Sequence, residues 1–363
     1  MKSNQIMLVA FSIWLAIGAL VIIPDGSLAQ EKPAKPTTLS FNWDTSYGRS
    51  TSTVWPFRPG GRFEQLVTRH SEGMLKLDIK DKLYGLKESV FAIGDGRINM
   101  GTQSVPAASG TYPVLDFGSI PGLFSNPPAG ASEWAAAFFD PEMMTIIESY
   151  TRPAGFKIIG AALSLANEAI WSDRAIPTIE DFKGLKVRTS GRTQTMALRQ
   201  LGASPVTLSM AEVEEALYRG TVDGITTAIN YGTERGLMEL CDHVSLWQVN
   251  PVFTMIIAVN IDVWDKLDPY FQKALIGAGQ DLTNELAAVM EQIQITYTMW
   301  INSSGKTKMI KPEQSEIDKA MQMMQPVVTD WLETTGQVGK DVLKISLKYA
   351  KGPAVNVVEK AVN

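Results

Sequence analysis

The chain has 363 residues, of which 45% are hydrophobic and 20% are charged, and its formal net charge is −5 at neutral pH. This length exceeds what one hydrophobic core usually holds, so two domains are expected. The mildly acidic balance, without a basic block, argues against nucleic acid as a partner. Cys241 is the only cysteine, and His70 and His243 are the only histidines. Neither an intramolecular disulfide nor a metal site is therefore predicted, and no cofactor motif is found.

Residues 1–29 have the pattern of a secretory signal peptide. Lys2 gives a positive start, residues 6–23 are nearly all apolar, and Ser27 and Ala29 place small residues before a cleavage point. An uncleaved anchor is the alternative, because the apolar run approaches the length of a membrane span. We predict export to the periplasm with cleavage after Ala29, followed by a flexible leader over residues 30–37.

The segment after the leader alternates predicted strands and helices. The strands cover 39–43, 74–79 and 98–102, and the helices cover 63–71 and 86–93. This β-α-β-α-β order predicts parallel strands whose faces are covered by helices. Polar groups follow two of the strands, at Trp43–Asp44 and at Gln103–Ser104. If two such lobes face each other, we expect a cleft between them that is lined by the side chains of Trp43, Asp44 and Gln103. The alternatives are a turn cap for Asp44 and a core position for Trp43.

A connecting region follows this first unit. Residues 113–125 are interrupted by prolines and glycines, and residues 132–152 predict one long amphipathic helix. Two strands, over 156–161 and 168–172, are expected to carry the chain from the first lobe to the second.

The stretch 176–230 repeats the β-α-β-α-β order and contains Arg188. Leu185 and Val187 alternate with Lys186 and Arg188, which predicts a strand. Further elements are a helix over 192–201, a strand over 204–208, a helix from a capping box at Ser209–Glu212 to Arg219, and a strand over 222–228.

This order places Arg188 at the carboxyl end of its strand, next to a helix N-terminus, where open α/β sheets bind ligands. A guanidinium group matches a carboxylate through two parallel hydrogen bonds. The alternative is a surface charge or half of an ion pair.

The remaining chain predicts elements that join the two lobes. Residues 253–259 form an apolar strand that is expected to return to the first lobe as a parallel, fully buried strand. Residues 268–303 predict one helix roughly 50 Å long. Helices over 312–335 and 340–351 are expected on the outside.

Four landmarks in the second unit resemble one protein family. They are Phe-Lys-Gly-Leu-Lys-Val-Arg at 182–188, Leu-Gly-Ala-Ser-Pro-Val at 201–206, Glu-Val and Ala-Leu at 212–213 and 216–217, and Gly-Thr-Val-Asp-Gly at 220–224. The chain resembles the DctP-type solute-binding proteins of tripartite ATP-independent periplasmic (TRAP) transporters, more weakly from about 38 to 339. The resemblance implies that Arg188 clamps the substrate carboxylate, and that polar groups near Asp44 and Gln103 line the pocket.

The resemblance also implies the fold and the domain limits. The expected fold is an α/β, two-lobed periplasmic binding protein (type II-like) with mixed sheets, crossing strands and a long interdomain helix. We place the first lobe at 38–163 plus 253–291, and the second at 164–252 plus 292–363.

The chain departs from the sialic-acid-binding members of this family. Where they have a second arginine, about twenty residues before the first, this chain has Asn167-Glu168. Where they have an asparagine after the Asp-Gly turn, it has Ile225-Thr226-Thr227. A sialic-acid-like ligand is therefore disfavoured. The candidate binding residues are Arg188, Gln103, Asp44, Trp43, Asn167, Ser190, Thr227, Asn230 and Trp247; for Asn230 a helix start is the alternative.

The predicted function is capture of a small organic acid and its delivery to the small and large TRAP membrane subunits, with uptake driven by an ion gradient. A monomer is expected, with a dimer as the alternative. The rival functions are a binding protein for another transporter, a periplasmic sensor, or a two-lobed periplasmic enzyme. The enzyme is disfavoured because the sequence shows no nucleophile motif and no paired acid and base.

Overall fold

The computed structural model describes residues 32–43, 55–85, 88–126, 129–163, 168–208, 212–247 and 254–363. The predicted signal peptide, the capping-box residue Ser209 and the candidate site residues Asp44 and Asn167 lie outside these ranges. In the described part of the chain, no helix is both long and apolar enough to cross a bilayer.

The described strands form two sheets of five and six strands. They are β1 (Thr37–Trp43), β2 (Leu75–Asp81), β3 (Met100–Ser104), β4 (Phe156–Leu163), β5 (Glu168–Ser172), β6 (Lys186–Thr189), β7 (Ser204–Thr207), β8 (Gly224–Ala228), β9 (His243–Ser245), β10 (Thr254–Asn260) and β11 (Lys308–Ile310). The order is β2-β1-β3-β10-β4 in the first sheet and β11-β9-β5-β8-β6-β7 in the second. The predicted α/β fold with two lobes and mixed sheets is confirmed.

Each lobe contains the parallel unit that the sequence predicts. In the first sheet β1 pairs in parallel with β2 and β3, and in the second β6 pairs in parallel with β7 and β8. The helices of these units are α1 (Arg62–His70), α2 (Ser89–Gly94), α3 (Val105–Ala108), α6 (Arg192–Gln200) and α7 (Val213–Tyr218). Alternating buried and exposed positions in β2 explain why one face of this edge strand packs on helices.

The direction predicted for β10 is wrong. All seven residues of β10 are buried, as expected, but the strand runs antiparallel to both β3 and β4. The parallel rule applies when a helix on the face of one sheet joins two of its strands. Here the chain enters β10 from the second sheet, after β9, so that rule does not set its direction.

The single helix predicted over 132–152 is also wrong. The structure has α4 (Ala129–Phe138) and α5 (Pro141–Thr151). Asp140 separates them and caps α5, because its carboxylate accepts hydrogen bonds from the backbone N–H groups of Glu142 at 2.9 Å and Met143 at 3.4 Å. Pro141 occupies the first helical position, where its missing N–H costs nothing.

Among the described strands the chain crosses between the sheets three times, from β4 to β5, from β9 to β10 and from β10 to β11. The short helix α8 (Ile229–Glu234) joins β8 to β9 within the second sheet, whereas the short α9 (Ile261–Lys266) and the long α10 (Pro269–Ser304) lie between β10 and β11. The 36 residues of α10 span roughly 54 Å. This helix contacts α1 and β4 of the first lobe and α8 and β11 of the second, so the predicted interdomain helix is confirmed.

Helix α10 lies directly on β4 through two glycines. A methyl group at Gly279 would lie 2.1 Å from the carbonyl oxygen of Ile159, and one at Gly160 would lie 2.7 Å from the α-carbon of Gly279. The hydroxyl of Thr283 accepts a hydrogen bond from the backbone N–H of Ala161 at 2.9 Å. The glycine pair therefore sets the distance between helix and sheet.

The C-terminal helices differ from their predicted limits. They are α11 (Gln314–Gln322), α12 (Gln325–Ser346) and α13 (Val355–Val362), the last of which was not predicted. The sequence predicts that one helix ends at 335 and the next begins at 340. The structure instead has the continuous helix α12 with a local kink at Gly336, whose φ is 59°. Helix α12 packs against α4 and α5, against the turn over 113–119, and against α6.

Candidate functional site

The candidate site is the edge of the second sheet at which its parallel strands end. Strands β6, β7 and β8 all finish there. Strand β5 runs antiparallel to β8, so its first residue, Glu168, lies opposite Ala228, the last residue of β8. The edge therefore combines the carboxyl ends of three strands with the start of a fourth, and open α/β sheets bind ligands at such an edge.

Arg188 lies at this edge with only 6% of its surface exposed. Its Nε donates to the carbonyl oxygen of Leu208 at 3.0 Å, and its Nη1 donates to that of Thr226 at 3.5 Å. The hydroxyl of Thr226 donates in turn to the carbonyl oxygen of Arg188 at 3.0 Å. Backbone carbonyl groups of β8 and of the residue that follows β7 thus hold the guanidinium in place. A group held in this way loses little further conformational freedom when it binds a ligand.

A second polar chain runs along the same edge. The backbone N–H and the hydroxyl of Ser190 donate to Oε1 of Gln194, at 2.8 and 3.2 Å. Nε2 of Gln194 then donates to Oε1 of Glu168 at 2.6 Å. Gln194 is 2% exposed and Glu168 is 8% exposed. Because Ser190 fixes the oxygen of the Gln194 amide, its nitrogen must face Glu168.

The N-terminus of α6 contacts the segment that follows β3 of the first sheet. The backbone N–H of Arg192 donates to the hydroxyl of Ser109 at 3.3 Å. The hydroxyl of Thr193 donates to Oδ2 of Asp116 at 2.7 Å, and Ser119 donates to the other carboxylate oxygen at 2.5 Å. Burial raises the pKa of Asp116 to about 6, although both hydroxyl groups act to lower it. The two lobes therefore share a buried, titratable contact directly after the strand that carries Arg188.

Candidate residues of the first lobe lie at the corresponding edge of the first sheet. Trp43 ends β1 and is buried, and Gln103 is the fourth residue of β3 and is fully buried. The side chain of Gln103 accepts from the backbone N–H of Val90 at 2.9 Å and donates to the carbonyl oxygen of Ser104 at 2.8 Å. These bonds tie Gln103 to its own lobe.

The remaining candidates divide between the edge and the core. Thr227 lies on β8 two residues after Ile225, the partner of Arg188 in the register, so it shares a sheet face with Arg188. Asn230 follows β8 in the first turn of α8 and is buried, in agreement with the helix start. Trp247 packs edge-on against Phe182, with ring centroids 4.9 Å apart. Its Nε1 donates to the carbonyl oxygen of Ile176 at 2.9 Å, so Trp247 belongs to the core of the second lobe.

Of the candidate binding residues predicted from the sequence, four lie together at this edge: Arg188, Ser190, Thr227 and Asn230. Sequence reasoning did not select Gln194 or Glu168, which lie at the same edge, or Asp116, which contacts Thr193 of α6. The position of Gln194 in the first turn after the Arg188 strand could have indicated it.

Other reactive groups in the described part of the chain lie elsewhere. No group of three or more His, Cys, Asp or Glu residues there could hold a metal ion. Burial raises the pKa of Cys241 to about 12, so its thiol is not ionised at neutral pH. His70 contacts Asp281 of α10, with 2.7 Å between Nε2 and Oδ2.

Comparison with known proteins identifies a family and a fold. The DctP model, described as bacterial extracellular solute-binding protein, family 7, matches residues 60–334. The 2,3-diketo-L-gulonate-binding periplasmic protein YiaO of Escherichia coli K12 is 24% identical over 273 residues, which are 74% of this chain and 78% of YiaO. The C4-dicarboxylate-binding periplasmic protein DctP of Rhodobacter capsulatus is 24% identical over 338 residues, 88% of this chain and 94% of that protein.

Solved structures show the same architecture. One is DctP7 of Bordetella pertussis, an extracytoplasmic solute receptor binding pyroglutamic acid. Its structure matches with a TM-score of 0.74 at 15% sequence identity, and the match covers 85% of this chain and 99% of the DctP7 chain. Another is a marine metagenome TRAP solute-binding protein in complex with 3-hydroxybenzoate. It matches with a TM-score of 0.72 at 17% sequence identity, over 90% of this chain and 99% of that protein's chain. At these identities the likeness establishes the fold.

Proposed function

The chain belongs to family 7 of the bacterial extracellular solute-binding proteins, and on this premise we propose that it captures a small organic acid by clamping its carboxylate on Arg188. Members of the TRAP group bind small organic ligands and work with membrane subunits. Three points are proposed for this chain: that its ligand carries a carboxylate, that Arg188 binds this group, and that the protein delivers the ligand to TRAP membrane subunits.

The observation that carries this proposal is the position of Arg188. The guanidinium is almost fully buried at the carboxyl edge of three parallel strands, and two neutral carbonyl groups orient it. A planar fork of N–H donors held at such an edge can bind both oxygens of a carboxylate. The charge-assisted bonds become stronger as water leaves the site, because the local dielectric constant falls.

The names of related proteins support an anionic ligand. Relatives and structural neighbours carry names that specify 2,3-diketo-L-gulonate, a C4-dicarboxylate, pyroglutamate and 3-hydroxybenzoate. One neighbour contains sn-glycerol-3-phosphate, whose anionic group is a phosphate. These ligands differ in size and ring content but share a negative charge, which is the feature that an arginine at this edge would recognise.

The rest of the proposal concerns the cell. The mature protein begins at Gln30 in the periplasm. It binds its ligand between the first lobe (38–163 plus 253–291) and the second lobe (164–252 plus 292–363), and it presents the closed form to the TRAP membrane subunits. A ligand that contacts both lobes stabilises the closed arrangement and shifts the population toward it. The protein acts as a monomer that binds and releases its ligand without chemical change.

A ligand screen tests this function. Purified protein starting at Gln30 is melted in the presence of mono- and dicarboxylates, keto acids, hydroxy acids, aromatic acids and neutral sugars. A ligand at 100 times its dissociation constant stabilises the folded state by about 2.7 kcal/mol. We expect at least one carboxylate to raise the melting temperature by several degrees. Stabilisation by neutral sugars alone, with all carboxylates inert, would contradict the proposal.

A further inference from the structure

We propose that Asp116 is a positioning residue of the ligand site: it joins the first lobe to helix α6 of the second, so that its protonation state changes the affinity for the ligand. This inference rests on the proposed function, since it takes Arg188 as the group that binds the carboxylate. It adds a residue that does not touch the ligand. It also adds a dependence of affinity on pH that Arg188 cannot supply, because a guanidinium group stays charged.

The start of α6 touches the first lobe. A methyl group at Gly191 would lie 2.9 Å from the carbonyl oxygen of Pro106, so the two backbones are in contact. Two residues later, the hydroxyl of Thr193 donates to Oδ2 of Asp116 at 2.7 Å. Ser119 donates to Oδ1 of the same carboxyl group at 2.5 Å, and Asp116 is only 1% exposed. This buried group is therefore bonded through one oxygen to each lobe.

Asp116 is held in a well-packed part of the first lobe. The ring of Phe117, the next residue, stacks on Trp134 of α4, with centroids 5.6 Å apart and planes at 12°. Nε1 of Trp331 in α12 donates to the carbonyl oxygen of Pro113, at the start of the same turn, at 3.0 Å. The carboxyl group thus keeps its place in the first lobe, and a movement between the lobes acts on its bond to α6.

A short hydrogen-bonded route connects this contact to Arg188. The hydroxyls of Thr189 and Thr195 lie 2.7 Å apart, and Thr195 also donates to the carbonyl oxygen of Gly191 at 2.8 Å. Thr189 directly follows Arg188 at the end of β6. Because these bonds tie the first turn of α6 to the end of β6, the two elements move together. A shift at Thr193 therefore changes where the guanidinium of Arg188 lies relative to the first lobe.

The surroundings of the carboxyl group leave its ionisation to burial. Helices α3, α6 and α12 pack on the turn 113–119, and α3 has no charged residue. The charged groups next to the contact are Arg192 of α6 and Asp330 of α12, which pair with each other at 2.7 Å. Tyr150 of α5 contacts the backbone of the turn, and burial raises its pKa, so it stays neutral. Glu133 of α4 accepts hydrogen bonds from Ser125. None of these groups supplies an unpaired charge at the contact.

The ionisation of Asp116 is linked to the closeness of the two lobes. Burial raises its pKa to about 6 while the contact is made. When α6 moves away, water reaches the carboxyl group and its pKa falls toward 3.8. The closed contact thus favours the protonated form. Its contribution to ligand affinity is fully present below pH 3.8 and is lost as the pH rises through 6. A ligand that contacts both lobes should therefore bind more tightly in acid.

Calorimetric titration at pH 5 and pH 7.5 measures this dependence. It is carried out with each carboxylate that stabilises the protein in the screen, beginning with pyroglutamate, whose carboxyl group is ionised at both pH values. The affinity of the wild type divided by that of Asp116→Asn should fall by at least threefold, and at most roughly tenfold, from pH 5 to pH 7.5. Asp318→Asn, at an exposed position, is the control and should keep the wild-type profile.

Proton uptake gives a second readout that a merely structural role would not move. Titrations at pH 5 are repeated in buffers of different ionisation enthalpy, which reports the protons bound with the ligand. The wild type should take up as much as roughly 0.8 proton more than Asp116→Asn, because closing the contact raises the pKa of Asp116. Equal uptake by the two proteins would contradict the inference.

Two hydroxyl deletions separate positioning from stability. Thr193→Val and Ser119→Ala each remove one hydrogen bond to the carboxyl group of Asp116, but only the bond from Thr193 joins the lobes. Both variants should melt at a lower temperature than the wild type. Thr193→Val should weaken binding at least threefold more than Ser119→Ala does, and Thr193→Ser, which keeps the hydroxyl, should restore most of the affinity.

The outcomes separate this inference from the proposed function. If carboxylates bind but the affinity ratio of wild type to Asp116→Asn changes less than threefold, the positioning role is refuted while carboxylate binding stands. Equal losses of affinity in Thr193→Val and Ser119→Ala refute it as well, and this pair decides the question if Asp116→Asn does not fold. If no carboxylate in the screen binds, the proposed function itself fails, and this inference fails with it.

Discussion

Replacing Asp116 by asparagine should remove a pH-dependent loss of stability. The carboxyl group is fully buried between the hydroxyls of Ser119 and Thr193, and burial raises its pKa from 3.8 to about 6. In the unfolded chain the group ionises near its ordinary value. The protonated form is thus favoured by folding, and the stability that it contributes is fully present below pH 3.8. That contribution is lost as the pH rises through 6.

The size of the effect follows from the shift. A change from 3.8 to about 6 corresponds to roughly 3 kcal/mol between the two protonation states, as an upper limit. The asparagine isostere keeps both contacts, because a hydroxyl group can either donate or accept a hydrogen bond. It carries no ionisable group, so its stability should not depend on pH at this position.

Urea unfolding at pH 4 and pH 7 measures the difference. The free energy of unfolding of Asp116→Asn minus that of the wild type should increase by up to about 3 kcal/mol between the two pH values. Asp318→Asn, at an exposed position of α11, is the control and should show no such change. A difference that stays constant, or that decreases toward pH 7, would refute the interpretation that the buried carboxyl group opposes ionisation.

Two further substitutions test the packing of the lobes. Gly279→Ala should destabilise the protein by about 1–3 kcal/mol or more, because the added methyl group meets the backbone of β4. Gly85→Ala is the control, since its methyl group would meet no atom within 4 Å. Equal melting temperatures of the two variants would contradict the close contact between α10 and β4. Trp247→Phe should lower stability by roughly 1–2 kcal/mol through the lost hydrogen bond to Ile176, with ligand affinity changed less than twofold. A tenfold loss of affinity in this variant would place Trp247 in the binding site.

Local patterns predicted much of the fold. The parallel units around β1–β3 and β6–β8 follow from short-range alternation of strands and helices, and the extent of α10 follows from 36 residues with an apolar periodicity. The direction of β10 could not be obtained in this way, because it depends on the route of the chain from the other sheet. The break at Asp140–Pro141 was visible in the sequence, since a proline after a capping residue starts a helix.

The site was predictable only where a strand end determines it. Arg188 and Ser190 follow from their place at the end of β6 and directly after it. The contact of Gln194 with Glu168 joins residues 26 positions apart, and that of Thr193 with Asp116 joins residues 77 apart. Such pairs depend on how strands and lobes assemble, and no local pattern encodes them. Trp247 shows the converse, since an aromatic side chain has the same local pattern in a core as in a pocket wall.

The most direct test of carboxylate binding compares Arg188→Ala and Arg188→Lys by calorimetric titration with an acid identified in the screen, together with melting of the unliganded proteins. Loss of one partner of a buried charge pair costs about 2–5 kcal/mol, so Arg188→Ala should weaken binding roughly 30- to 3000-fold. Arg188→Lys should recover only part of the affinity, because an ammonium group keeps the charge but not the planar fork. Loss of the two carbonyl contacts should lower the unliganded stability only modestly. An Arg188→Ala protein that is folded and binds the acid with unchanged affinity would contradict the proposed role of Arg188.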